Sequence, residues 1–221
     1  MADLFRRMRV SKPRLNRFDL SHDVKLSFNQ GELIPILLEE IVPGDRWRVN
    51  SEVMLRFAPM LSPVMHRFNV SVHYFFVPNR IVWSEWEDFI TGGEDGLAAP
   101  VRPYVTLAQL NTEGADIGSL ADYMGLPRLD GAPVESKWIS IIPFRGYRKI
   151  YEEFYRDQNL ITKYDVPTTS GAQSGTDLDV LDLKKRAWEH DYFTSALPWT
   201  QRGAEISIPV QLHEIGRAAC R

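Results

Sequence analysis

Between Arg46 and Phe57 apolar and polar positions alternate almost residue by residue. Trp47, Val49, Val53, Leu55 and Phe57 fall on one face, and Arg46, Arg48, Asn50, Glu52 and Arg56 on the other. Side chains of an extended chain point to opposite sides with a period of two, so this pattern predicts a strand with one buried face. Residues 64–78, "VMHRFNVSVHYFFVP", predict a second strand: Val70, Val72, Tyr74 and Phe76 share one face, and His73, Phe75 and Val77 the other. Both faces are bulky at its end, which predicts a central strand covered on both sides. The apolar run 32–42 is broken by Pro35 and closed by Pro43-Gly44-Asp45, the pattern of an edge strand or of two short strands.

The period then changes. Trp83, Trp86, Phe89 and Ile90 form a helical stripe that Gly92-Gly93 ends, with Ser84 and Glu87 spaced as a capping box. A small helix is predicted at "SLADYMGLP", with Ser119 as N-cap and Gly125 just past the end. The longest helix is predicted over 144–160, where Tyr147, Ile150, Tyr151, Phe154 and Tyr155 recur at helical spacing. The small, polar stretch 165–177, "DVPTTSGAQSGTD", reads as a mobile connector. Strands come early and short helices sit on long loops afterwards, a sheet framework carrying insertions rather than alternating β-α-β units.

Composition narrows the function. The 221 residues are 44% hydrophobic and 25% charged, ordinary for a folded domain, and the 11% aromatic content favours strands and extended contacts over a helical bundle. One cysteine, Cys220, excludes a disulfide framework. No run of 18 apolar residues predicts a membrane span, and the first 20 residues lack the apolar core of a secretory signal. The net charge of −3 is uneven: Arg6, Arg7, Arg9, Lys12, Arg14 and Arg17 face only Asp3 in residues 1–17, leaving the remainder acidic. Such a basic arm can neutralise phosphates without reading sequence, or stand as a solvated terminus.

Candidate chemistry is sparse. There is no phosphate-binding glycine loop, nucleophile elbow, zinc-protease motif or cysteine cluster. His66 and His73 do not converge on a metal, and Glu94-Asp95 in "GGEDG" lack the alternating oxygen ligands of a calcium loop, so a solvated turn is the expectation. The densest stretch is "WEHDYFTSALPWTQRG", residues 188–203. His190, Asp191 and Ser195 have the residue types of a hydrolase triad. Yet on a strand His190 points away from the other two, and on a helix it lies about 100° round from Asp191. Triads are assembled from separated loops, and neither geometry supports catalysis. No catalytic residue, metal ligand or cofactor is therefore expected.

At "VMHRFNVSVHYFFVPNRIVWSEWEDFITGG" the sequence resembles the major capsid protein of the microviruses, small icosahedral phages with single-stranded DNA, especially the gokushovirus-like branch. The blocks "LIPILLEEIVPGD", "RFAPMLSPVMHRF", "DYMGLP", "IPFRGYRKIYEEFYRDQNL" and "HDYFTSALPWTQRG" match the same family in order, so the likeness runs from about residue 15 to 210. The resemblance implies a mainly β fold with inserted short helices: a viral jelly-roll β-sandwich, incomplete in this chain because the family's chains are longer and "LHEIGRAACR" leaves the pattern. It divides the chain into an arm, 1–17, and a partial jelly roll, 18–221.

The implied function is structural. Copies form pentamers and an icosahedral shell around single-stranded DNA with other virion proteins, and a host surface receptor is a further expected partner. Localisation is the virion, assembled in the host bacterial cytoplasm. Arg6, Arg7, Arg9, Lys12, Arg14 and Arg17 are the expected nucleic-acid contacts. Tyr192, Phe193, Trp199 and Arg202 are residue types favoured at interface cores and are the expected subunit contacts, with burial inside one subunit as the open alternative. A jelly-roll carbohydrate-binding module is the alternative from another class, and an enzyme a distant third.

Overall fold

The computed structural model describes residues 16–63, 65–113, 116–126, 137–197 and 203. Trp199, Arg202 and the basic arm residues other than Arg17 lie outside them. Regular elements are short: α1 (Trp86–Thr91), β1 (Tyr104–Thr106), α2 (Leu107–Glu113), α3 (Leu120–Tyr123), β2 (Trp138–Ser140) and α4 (Ile142–Ile150), with 3-10 turns at Asn79–Ile81 and Gly175–Leu181. β1 and β2 pair antiparallel, Val105 opposite Ile139. Few short helices and a small antiparallel sheet are compatible with a mainly β capsid fold.

The buried core gathers Val105, Leu107, Leu110, Leu120, Ala121, Ile141, Phe144, Leu178, Val180 and Leu181. α3 forms where its caps predict: Ser119 accepts from the Asp122 amide, and Gly125 takes φ +83, a left-handed conformation that costs glycine little. α1 also ends as expected at left-handed Gly92, but the Ser84–Glu87 box does not form. Ser84 donates from both its amide and its hydroxyl to the Thr168 carbonyl instead, so a tertiary contact displaces the local cap. The long helix starts at Ile142, two residues early, with Pro143 in its first turn, where a missing N–H costs nothing. It widens after Ile150 into a π-helical turn, Tyr151–Tyr155, closed by the Arg156 amide on the Tyr151 carbonyl, and ends there rather than at residue 160.

The centre of this body is Arg145, which has no exposed surface. Its guanidinium donates to the carbonyls of Val82 and Thr169 and to Gln173 Oε1, at 3.1, 3.0 and 2.6 Å. Burial pulls it down to about 10, with Asp177 partly opposing the shift, so it stays charged near neutrality. Segment 165–177, read as a mobile connector, is instead a strap held along its length. Gly171 bonds the Val101 carbonyl, Tyr104 of β1 bonds both Gly171 and Gln173, and the Trp83 indole donates to Ser170 at 2.7 Å. Its glycines serve left-handed backbone at Gly171 and Gly175, φ +75 and +61, not freedom.

The two predicted strands are extended but form no backbone ladder among the described residues. Their side chains still meet: Tyr74 donates to Ser51 Oγ at 2.7 Å, and Phe57 and Phe68 stack tilted at 4.7 Å. From Ser51 to Phe57 the first segment advances by six residues while from Tyr74 to Phe68 the second recedes by six, which is an antiparallel register. The His73, Phe75 and Val77 face lies on the helix: His73 bonds Tyr155 Oη, Phe75 packs on Phe154 at 5.0 Å, and Val77 approaches Gly146. The opposite face, expected to be covered, is open. Trp47, Val49, Val53, Leu55, Phe57, Phe68, Val70, Tyr74 and Phe76 are all exposed along this ribbon. The run 32–42 likewise gives one bridge, Glu32 to Lys185, and not a strand.

Replacing Arg145 with Met removes three hydrogen bonds from a charged donor and leaves the Val82 carbonyl without its side-chain partner, and is expected to cost about 3 kcal/mol. Lys at the same position recovers only part of this, because a single ammonium cannot span the fork. The urea midpoint of unfolding, at unchanged slope, measures both.

Candidate functional site

The stretch 188–203 owes its polar density to one carboxylate. Asp191 Oδ1 accepts from the Phe193 amide at 2.9 Å, the Thr194 amide at 2.8 Å and the Thr194 hydroxyl at 2.9 Å. Thr194 Oγ1 in turn accepts from the Asp191 amide, and the Ser195 amide closes on the Asp191 carbonyl. This is a side-chain-locked turn, the use to which Asp and Thr are put wherever backbone groups lack regular partners. The Thr194 amide and hydroxyl hold the Asp191 carboxyl below its ordinary value, with smaller shares from the Phe193 amide and Trp188. His190 takes no part in it. Ser195 contributes its backbone amide to the turn.

The turn displays rings rather than burying them. Tyr192 is 89% exposed and Phe193 85%, in an edge-to-face contact at 5.6 Å. Trp188, three residues before the turn, is 78% exposed. Of the four residues expected at subunit contacts, the two described ones, Tyr192 and Phe193, stand exposed on this chain. Beside the turn lies an open cleft of about 300 Å³ between residues 154–159 and 186–190, walled by Phe154, Tyr155 and Trp188 and rimmed by Arg156, Gln158, Asn159, Arg186 and His190. The Ala187 amide on the Tyr155 carbonyl ties the two walls together, and Arg186 pairs with Glu189 at 3.0 Å.

Behind the cleft sits Glu152, only 3% exposed. It accepts from Arg148 Nε at 2.9 Å and the Tyr164 amide at 3.2 Å, and its second oxygen lies 3.0 Å from Arg156 Nε. Arg148 also lies over the Tyr164 ring at 4.6 Å. Every partner of this carboxylate is structural; the group stiffens the π turn that carries Phe154 and Tyr155. Sequence reasoning missed Arg145, Glu152 and the cleft. Asp191 with Thr194 three residues on was a visible signal of a locked turn.

Of the six basic arm residues only Arg17 is described, and it is exposed. Among the described residues no group of three or more His, Cys, Asp or Glu could hold a metal ion, and Glu94 and Asp95 lie in the turn after α1. No helix of the described residues is long and apolar enough to cross a membrane.

An open aromatic loop and an uncovered apolar ribbon are surfaces available for contact, and the Glu152 and Asp191 carboxylates fix backbone. Residues 8–218 match the phage capsid protein (F protein) family model, and the chain belongs to that family. It is 36% identical over 195 residues to capsid protein VP1 of Bdellovibrio phage phiMH2K, covering 88% of this chain and 35% of that protein. Identity is 32% with capsid protein VP1 of Chlamydia phage 1, over 98% of this chain and 39% of the relative, and 30% with that of Spiroplasma virus 4, over 88% and 36%. The chain thus spans well under half the length of these curated relatives. Their names are those of capsid proteins, which sets aside the carbohydrate-binding alternative.

As pH falls through the depressed Asp191 value, below the ordinary 3.8, the carboxylate is protonated and the turn loses what held it. Amide exchange at Phe193 and Thr194 is expected to accelerate there. Asp191→Ala should give the same fast exchange at neutral pH while leaving global stability nearly unchanged, because the loop is exposed.

Proposed function

We propose that this chain is the N-terminal part of a microvirus major capsid protein, working as a building block of an icosahedral shell around single-stranded DNA. Its mechanism is burial of aromatic and aliphatic surface between polypeptide segments, with closed symmetry summing weak contacts into a stable particle. The virion is then its location, with host bacterial cytoplasm as the place of assembly. Other virion proteins and a host receptor remain partners of the whole protein in this reading.

The observation that carries the reading is the ribbon. Two extended segments run in antiparallel register, with one face seated on α4 and its π turn and nine large apolar side chains open on the other. An open face of this kind on a soluble monomer is an aggregation hazard; a sandwich covers it with a second sheet. We therefore read residues 18–221 as part of a jelly roll whose sheet pairing and covering layer come from further strands. Tyr192, Phe193, Trp199 and Arg202 are assigned to contacts between subunits, and Arg6, Arg7, Arg9, Lys12, Arg14 and Arg17 of the 1–17 arm to packaged DNA.

Sedimentation velocity of the purified chain over a range of concentrations, with hydrogen exchange of residues 47–57 and 68–76, tests this. Concentration-dependent assembly with protection of those amides is expected. A monomer at every concentration, exchanging there as an unfolded chain does, would overturn it. For the arm, each phosphate neutralised on single-stranded DNA steepens the fall of log affinity with log salt by about 0.7. Replacing Arg6, Arg7 and Arg9 by Ala is therefore expected to flatten that slope by about 2 in all. An unchanged slope removes the arm from DNA binding.

A further inference from the structure

The Tyr147 hydroxyl stands outside the Arg145 junction and ties two distant segments at once. It donates to the Leu33 carbonyl at 3.0 Å and accepts from the Lys184 amide at 3.0 Å. The segments also hold each other. The Leu33 amide bonds the Lys184 carbonyl at 3.0 Å and the Arg186 amide bonds the Gly31 carbonyl at 2.9 Å, on either side of the antiparallel bridge Glu32 to Lys185. One residue further on, the Ala187 amide bonds the Tyr155 carbonyl at 2.9 Å. We propose that residues 29–33 and 184–187 form a clasp on α4, a two-state unit that opens and closes as one while the core stays folded. The clasp does not depend on what the chain assembles with.

Cooperativity follows from where the hydrogen bonds go. A hydroxyl that donates to one segment and accepts from the other has no half-open state that keeps both bonds. Burial pushes Tyr147 up to about 12, so its hydroxyl keeps the proton and serves both roles around neutrality. The backbone bonds are reciprocal. Lifting 29–33 strips the Arg186 amide and the Lys184 carbonyl of these partners, and lifting 184–187 strips the Leu33 amide and the Gly31 carbonyl. The first segment is preset by Glu32, whose carboxylate accepts from the Asn29 amide at 2.9 Å and from its side-chain amide at 3.1 Å.

The same bonds make the unit separable from the core. Gly31, Lys185 and Arg186 are exposed, and Glu32, Leu33, Lys184 and Ala187 are half-buried, whereas Leu181 is buried and Leu183 packs on the core. Segments poor in buried apolar contact open at less than the global cost. The limits of the unit are marked too. Tyr123 donates to the Ser27 carbonyl at 2.8 Å on one side, and the Asp191 turn is closed on itself on the other. The clasp thus joins the chain that follows the basic arm to the chain that leads into the aromatic loop. By linkage, a partner that favours the closed form through either segment favours it for both.

Amide-resolved hydrogen exchange of the whole chain tests the clasp, because exchange follows the opening equilibrium where reclosing is fast. Tyr147→Phe removes both hydroxyl bonds and keeps the ring. Exchange at Leu33, Arg186 and Ala187 is expected to rise about tenfold or more, by a common factor. Gly171 and Gln173, bonded where the strap meets β1, are expected to keep their rates. Glu32→Ala acts on the first segment alone, through the Asn29 turn. The decisive reporter is then Ala187, whose amide is held by Tyr155 and by neither Glu32 nor Tyr147. It is expected to accelerate by the same factor as Leu33.

Ala187 at its wild-type rate while Leu33 accelerates means that the segments open separately, and overturns the proposal. So does wild-type exchange throughout the clasp in Tyr147→Phe, which takes the hydroxyl out of it. Acceleration of Gly171 and Gln173 by the same factor as the clasp makes the opening global and overturns it as well.

Discussion

A guanidinium with no accessible surface sits where three stretches of chain meet, and only neutral oxygens hold it. Moving such an ion out of water costs several kcal/mol even after relaxation. The cost is offset because each hydrogen bond from a charged donor is stronger than a neutral one, and Arg145 makes three of them with a geometry its planar fork requires. The carbonyl of Val82, the carbonyl of Thr169 and the Gln173 amide can satisfy it together only if the 79–83 turn, α4 and the strap are docked at once. Everything downstream inherits that placement. α4 sets the π turn, the π turn carries Phe154 and Tyr155, and those rings seat the ribbon on one side and wall the cleft on the other.

Two carboxylates repeat the device at smaller scale. Glu152 gathers two arginines and a backbone amide under the π turn, and Asp191 gathers two amides and a hydroxyl into a rigid loop. The chain's concentrated polar chemistry is thus used to fix backbone shape. Contacts between surfaces gain from this, because they form at lower cost when the surfaces are presented in a constant form.

Much of this was legible in sequence, and the parts that were not share a cause. The caps of α3 were readable at Ser119 and Gly125 because a cap is a local decision among neighbours in sequence. Ser84 looked equally good and failed, since Thr168, far along the chain, offered its carbonyl. The alternation at 47–57 and 70–77 separated the two faces of each segment but not their burial, since the Trp47–Phe57 and Val70–Phe76 faces are open on this chain; a ladder and a covering layer are properties of several segments, and no pattern within one supplies the others. Arg145 was invisible because arginine is among the residues least expected at zero exposure; only its remote acceptors make that burial tolerable. The aromatics of the 188–195 loop were legible as contact residues by type, whereas the cleft beside them arises from the meeting of residues 154–159 with 186–190 and has no sequence signal of its own.

The ribbon also has a consequence in time. Synthesis delivers residues 47–77 well before residues 142–155, on which the His73 and Phe75 face comes to rest. During that interval both faces of the ribbon are bare and its edges unpaired, the state in which nascent chains aggregate or pair with the wrong neighbour. Arg46, Arg48, Glu52 and Arg56 on the polar side of the first segment oppose aggregation while it waits, and the contacts it waits for are of high sequence separation, which makes them slow to form. The interval before residues 142–155 are made is therefore when the ribbon is most open to mispairing.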